Sequence, residues 1–199
     1  MNWLVGFRQW SFIVLPIAGV LTTSSVFAQI VPANDGTGTI VSPQGNQLDI
    51  GGGQLSEDNA NLFHSFQEFG LQDGQVANFL SNPNIDNIFG RVTGGNASYI
   101  NGLIQVTGGN SNLFLLNPAG VVFGENASLN IPADFTVTTA TGIGFDSGNW
   151  LNAFGENAWA DLLGTPNAFD FSGLSSGAAI VNNGNLAVAS GQNVGFFGG

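Results

Sequence analysis

His64 is the only histidine of the chain, and Arg91 is one of only two Lys or Arg residues. Acid–base or electrophilic chemistry would have to be built from these two and from carboxylates. Glycoside hydrolysis needs two carboxyl groups held across a scissile bond. Asp49 with Glu57 and Asp58, or Glu68 with Asp73, are the groups that neighbouring turns of a fold could bring together. Lyase chemistry needs a cation or base to hold an enolate-like charge, and beyond residue 8 only Arg91 could supply one. His64 sits beside Phe63 and near Phe66, with no cysteine or carboxylate at metal-ligand spacing, so a packed or capping role is expected of it rather than a ligand or base role. There is no nucleophile elbow, phosphate loop or zinc signature. The expectation is a protein that is not an enzyme, with no catalytic residues, no metal site and no cofactor.

The elements that would position these residues read as short strands. Ile40-Val41, Leu48-Asp49-Ile50, Tyr99-Ile100, Leu103-Ile104-Gln105-Val106, Leu113-Phe114-Leu115-Leu116, Val121-Val122-Phe123, Leu129-Asn130-Ile131 and Phe135-Thr136-Val137-Thr138 are β-branched or aromatic runs bounded by Gly, Asn, Pro or Ser. Turn signals fill the intervals, among them Gly94-Gly95-Asn96, Gly108-Gly109-Asn110 and Asn182-Asn183-Gly184-Asn185. In Asn117-Pro118-Ala119-Gly120, Pro118 presets the first corner residue and Gly120 can close the turn. One stretch, Trp150 to Leu163, has helix-like spacing and is expected as an excursion from the sheet. Gly94-Gly95-Asn96-Ala97-Ser98 recurs as Gly124-Glu125-Asn126-Ala127-Ser128 and less faithfully as Gly155-Glu156-Asn157-Ala158-Trp159; Val92-Thr93-Gly94-Gly95 recurs as Val106-Thr107-Gly108-Gly109. Such irregular repetition fits a β-solenoid of roughly half a dozen turns at about 20 to 30 residues each. Periodicity alone leaves a β-sandwich open. Gly142-Ile143-Gly144-Phe145-Asp146 has the outline of one calcium-solenoid half-turn, but such sites need tandem copies, and no ion is assigned to it.

The first 28 residues read as a secretory signal peptide: Arg8 and the amino terminus precede the apolar run Ser11 to Leu21, which ends at Val26-Phe27-Ala28. Cleavage is expected between Ala28 and Gln29, leaving one domain over residues 29–199. The run is too short and interrupted for a spanning helix of about 20 apolar residues. Beyond it, 13 acidic residues face Arg91 alone, a balance that excludes phosphate neutralisation, so no nucleic-acid partner is expected. Adhesion to anionic lipid is disfavoured for the same reason. No cysteine is present; an exported chain without disulfide staples must draw stability from extensive packing, and it is free of closed loops that would obstruct a narrow pore.

Several blocks in order carry a family resemblance. Asn61-Leu62-Phe63-His64-Ser65-Phe66-Gln67-Glu68-Phe69, Ile88-Phe89-Gly90-Arg91-Val92-Thr93-Gly94-Gly95 and the run Leu113 to Leu129 resemble the amino-terminal secretion domain of the filamentous haemagglutinin family, in its cyanobacterial-type form. The family's Asn-Pro-Asn-Gly motif stands here as Asn117-Pro118-Ala119-Gly120, with its third position changed. Asn82-Pro83-Asn84-Ile85 is similar to the family's Asn-Pro-Asn-Leu motif. The resemblance implies an all-β, right-handed parallel β-helix with an N-terminal cap. It implies export through the general secretory translocon and recognition by an outer-membrane β-barrel transporter of a two-partner system. The destination would be the medium or the cell surface by way of the periplasm, and the exoprotein an adhesin with a host-cell or matrix receptor. Asn117, Pro118 and Gly120, with Asn82, Pro83 and Asn84, are then either transporter-recognition residues or structural turns. The segment Val181 to Ala189 reads as a further coil in progress, so truncation at the C-terminal end is expected. The competing expectation is a stand-alone extracellular β-helix that binds or degrades carbohydrate, using carboxylates or exposed aromatics such as Trp150 and Trp159.

Overall fold

A computed structural model describes residues 29–173 and 178–199; the expected signal peptide and Ala28 lie outside the described residues. The chain is a parallel β-helix of about 4 turns, with strands on up to three sides of a coil. It begins with β1 (Ile30–Pro32), β2 (Thr39–Gln44), β3 (Gln47–Gly52) and β4 (Gln54–Leu55). The first coil carries β5 (Asn61–Phe69) and β6 (Val76–Leu80). The second carries β7 (Asn87–Val92), β8 (Ser98–Ile100) and β9 (Leu103–Thr107), and the third β10 (Asn112–Leu116), β11 (Val121–Phe123) and β12 (Ser128–Asn130). The fourth opens with β13 (Phe135–Thr138) and leaves the stack for an antiparallel excursion: β14 (Gly142–Phe145), β15 (Trp150–Asn152), a 3-10 turn at Trp159–Asp161, and β16 (Pro166–Asp170). It returns as β17 (Ile180–Asn182), and β18 (Val194–Phe197) follows.

Parallel pairing sets the register. Leu62, Ile88, Leu113, Phe135 and Val194 form one inward row across β5, β7, β10, β13 and β18. His64, Gly90, Leu115, Val137 and Phe196 form the next. Because side chains alternate across a strand, the residues on either side of the first row face outward. They make two ladders of like side chains, a common way for a solenoid to stabilise each coil against the next. Asn87 donates through Nδ2 to Asn61 Oδ1 at 2.8 Å, and Asn112 to Asn87 Oδ1 at 2.9 Å. Phe63, Phe89 and Phe114 stack with centroids 5.1 and 4.8 Å apart.

The true repeat is therefore Asn-Leu-Phe (61–63), Asn-Ile-Phe (87–89), Asn-Leu-Phe (112–114), at intervals of 26 and 25 residues. The repeats singled out from the sequence join unlike corners. Ser98 pairs with Val121 on one side of the coil, whereas Ser128 pairs with Leu103 on another. The expectation of half a dozen turns is corrected to about 4: the interval from Asp134 to Asn193 is 59 residues, because the excursion spends a coil's worth of chain outside the stack.

The expected cap is present. β4 and β1 both pair antiparallel with the outer edge of β5, at Leu62-Phe63 and at Phe66 to Phe69, and β2 covers β3. Antiparallel cover removes the unpaired backbone groups that would otherwise template association. The Trp150 to Leu163 stretch is an excursion as expected, but it is not a helix. It is one strand of a three-stranded antiparallel sheet followed by a single 3-10 turn, because Gly155, at φ +75°, breaks the run.

Candidate functional site

Two corners carry Asn-Pro pairs, and both fold the same way. Asn117 Oδ1 accepts from Ala119 N at 2.9 Å while Asn117 O accepts from Gly120 N at 3.0 Å. Asn82 Oδ1 accepts from Asn84 N at 2.9 Å while Asn82 O accepts from Ile85 N at 3.1 Å. Each asparagine side chain thus closes its own turn, the conformation that proline at the next position presets. At Gly120, φ is +110°, which favours a glycine at that corner.

Their surroundings are opposite. Asn117 is buried, and its Nδ2 donates to Asn96 O at 3.1 Å and Ser98 Oγ at 2.9 Å in the preceding coil, while its backbone N–H donates to Thr138 O in the following one. One side chain and its backbone tie three coils, and both amide hydrogens are consumed. Asn82, Pro83 and Asn84 are exposed. They flank an open groove of about 540 Å³ lined by Leu55, Asp58, Asn59, Ala60, Ile85 and Asp86. The coil beneath supports this corner at close range: a Cβ on Gly109 would stand 2.5 Å from Asn82 O.

The groups considered for catalysis are spread over different elements. Asp49, on β3, accepts from Asn78 Nδ2 and Gln47 Nε2, each at 2.7 Å. Glu57 and Asp58 lie in the β4–β5 turn, and Asp58 is held below the usual carboxylate range by hydrogen bonds from Ser56 Oγ and Ala60 N. Glu68 lies opposite Val31 at the end of β5, and Asp73 follows in the turn before β6. His64 points inward and is 1% exposed, packed on Phe66 and Phe79 at 6.3 and 5.8 Å between centroids. Neither ring nitrogen has a hydrogen-bond partner, and burial lowers its pKa to about 4. The packed role expected of it is what the fold provides.

Arg91 is the group that sequence reasoning left without a place. Facing outward from β7, it is nevertheless buried at 2% exposure. Nε donates to Ser65 Oγ at 3.0 Å, Nη2 to Asp35 Oδ2 at 2.8 Å, and Nη1 to the carbonyls of Asn152 and Gly155 at 2.8 and 2.9 Å. The guanidinium carbon sits 4.8 Å over the Trp159 ring. Burial pushes the Asp35 carboxyl up, but hydrogen bonds from Ser65, Thr37 and Arg91 outweigh it and bring the pKa to about 2. Trp159, expected as an exposed aromatic, is instead half-buried against Phe63 at 5.5 Å; Trp150 is exposed, at 43%. The Asn-aliphatic-Phe triplet was the sequence signal that could have placed Arg91, two residues after the second Phe, in the outward row.

Comparison with known proteins agrees with this geometry. The structure superposes on the crystal structure of the HMW1 secretion domain from Haemophilus influenzae with a TM-score of 0.57 and 22% identity, over 85% of this chain and 38% of that one. The present chain thus spans well under half the length of that relative. No curated protein matches the sequence. The family profile described as TPS secretion domain matches residues 28–199, and the chain belongs to that family, the amino-terminal domains of two-partner secretion exoproteins.

Proposed function

We propose that this domain is the address label by which an outer-membrane β-barrel transporter selects its exoprotein, and that the exposed Asn82-Pro83-Asn84 corner with its flanking groove is the surface read. The observation that carries this reading is the contrast between two turns closed by the same pair of hydrogen bonds. The Asn117 corner spends its side chain on neighbouring coils, whereas the Asn82 corner presents Pro83 and Asn84 to solvent beside a groove. Asn117, Pro118 and Gly120 are on this reading structural residues that fix the coil stack. The exoprotein is an adhesin delivered to the surface or medium after passage through the periplasm. The domain itself is not catalytic: the perturbed carboxylates Asp35, Asp58 and Asp170 are held low by hydrogen bonds, the reverse of the raised pKa that a general acid needs.

The test is binding of the purified domain to its cognate transporter, with thermal denaturation run on the same samples. Asn84→Ala is expected to weaken binding about tenfold or more at unchanged Tm, the size expected for central contacts of an interface; Pro83→Ala is expected to weaken it likewise and, because Pro83 presets the turn, to cost up to about 1 kcal/mol of stability. Asn117→Ala is expected to lower Tm and to affect binding only as far as it unfolds the domain. Unchanged binding by the Asn84 and Pro83 variants would refute the assignment of the surface.

A further inference from the structure

The excursion, residues 140–171, lies over the outward face of the long sheet. Ile143, Phe145, Leu151 and Leu162 bury themselves against Phe63, Phe89 and Leu116. Its anchors reach far back in sequence. Asn61 Nδ2 donates to Leu162 O and Gly164 O at 2.9 and 3.0 Å, across 101 and 103 residues; Arg91 Nη1 reaches Asn152 O and Gly155 O across 61 and 64. Glu57 N donates to Ala160 O at 3.0 Å.

The face that receives the excursion is composite. The Phe145 ring contacts Phe63 of the first coil at 6.2 Å and Phe89 of the second at 5.2 Å. Trp159 lies between Phe63 and Arg91, again from two coils. Neither coil alone presents this surface. The stacking of β5, β7 and β10, by contrast, uses backbone groups and inward side chains that the coils supply themselves, over intervals of only 25 and 26 residues. Shorter closures cost less entropy and form sooner. Arg91 is prepared in advance, since Ser65 and Asp35 engage Nε and Nη2 from the amino-terminal side while Nη1 serves only the excursion.

We infer that residues 140–171 are a clasp that docks after the first three coils have stacked, with Arg91 as the positioning residue that receives it. Until the clasp arrives, the stacked coils expose the Phe63-Phe89-Phe114 ladder. Closing it completes the native domain and joins the first coil to the fourth. Docking order is a property of the chain in isolation, so its failure leaves the transporter reading untouched.

Pulse-labelling hydrogen exchange during refolding of the full chain tests the order. Because β14, β15 and β16 pair with one another, the amide that reports docking is that of Glu57, which donates to Ala160 O; it is expected to gain protection after the amides of β5, β7 and β10. In the native state, Arg91→Lys, which keeps the charge and loses the fork, is expected to speed exchange in β14 to β16 by about tenfold or more, the size expected when hydrogen bonds to a charged donor are lost. Exchange in β7 and β10 should hardly change. Trp159→Leu, altered only on the clasp side, should show the same selectivity should the arginine variant not fold. Protection of the Glu57 amide at the same time as the coil amides in the wild type, or equal acceleration of clasp and coils in the variants, would overturn the inference.

Discussion

His64 shows how a single buried side chain sets a pH dependence. Its imidazole is neutral in the fold because burial lowers its pKa to about 4, against 6.5 for a free imidazole. Between those limits the unfolded chain takes up a proton that the folded chain refuses. Stability from this residue is therefore complete above pH 6.5 and falls as the pH drops toward 4, by on the order of 3 kcal/mol in all. Asp35 acts in a lower window: with its folded pKa near 2 against 3.8, its contribution is present above pH 3.8 and is lost as the pH falls through 2. Urea denaturation from pH 7 to pH 4 should show the first decline in the wild type and a much flatter profile in His64→Phe. An equal decline in both would assign the effect to other groups. The lone histidine beside phenylalanines was legible as a packing residue. Its lack of any partner was not, because the backbone of Gly53, which closes over the ring with a would-be Cβ at 3.0 Å, comes from the cap. For Asn117, the buried amide predicts that Asn117→Ala costs about 1 to 3 kcal/mol, since Asn96 O and Ser98 Oγ lose their donor. Chemical denaturation checks this directly.

Among the elements, the strands of the coils were readable because β-branched runs alternate with Asn and Gly corners. β9, β10, β11 and β13 lie where the sequence placed them. The excursion was misread for a physical reason. Gly142 and Gly144 look like turn glycines, yet they belong to β14, and the space of their missing side chains is taken by the Trp150 indole, which a Cβ at Gly144 would meet at 3.1 Å. Aromatic cover of strand glycines leaves no alternating pattern to detect. The outward Phe ladder was also hidden, because a strand covered on both faces reads as continuous apolar sequence. Its weight in the fold is open to test. Phe89 stacks on Phe63 and Phe114 and meets Phe145, so Phe89→Ala should cost about 3 to 5 kcal/mol. Phe154, 51% exposed on the excursion, should change stability by less than about 0.5 kcal/mol when cut to Ala. Comparable losses for the two would mean that the ladder does not hold the clasp.

At the scale of the whole molecule, a stack of coils stabilised by ladders needs no disulfide, and the chain has no cysteine. Each coil offers its edge to the next, so assembly can proceed coil by coil along the chain. The cap closes the amino-terminal edges through β1, β2 and β4, which directs growth toward the other end. Among the described residues the one salt bridge, Arg91 to Asp35 at 2.8 Å, joins the cap segment to the second coil and hence to the clasp, so this cation serves the architecture. On the function proposed above, this fold is read by a transporter. The direct measurement is export of the chain in a Gram-negative host with and without its cognate outer-membrane transporter, following the protein in periplasm and medium. Transporter-dependent appearance in the medium, reduced by Asn84→Ala in a domain of unchanged Tm, is the predicted result; equal release without the transporter would contradict recognition by it.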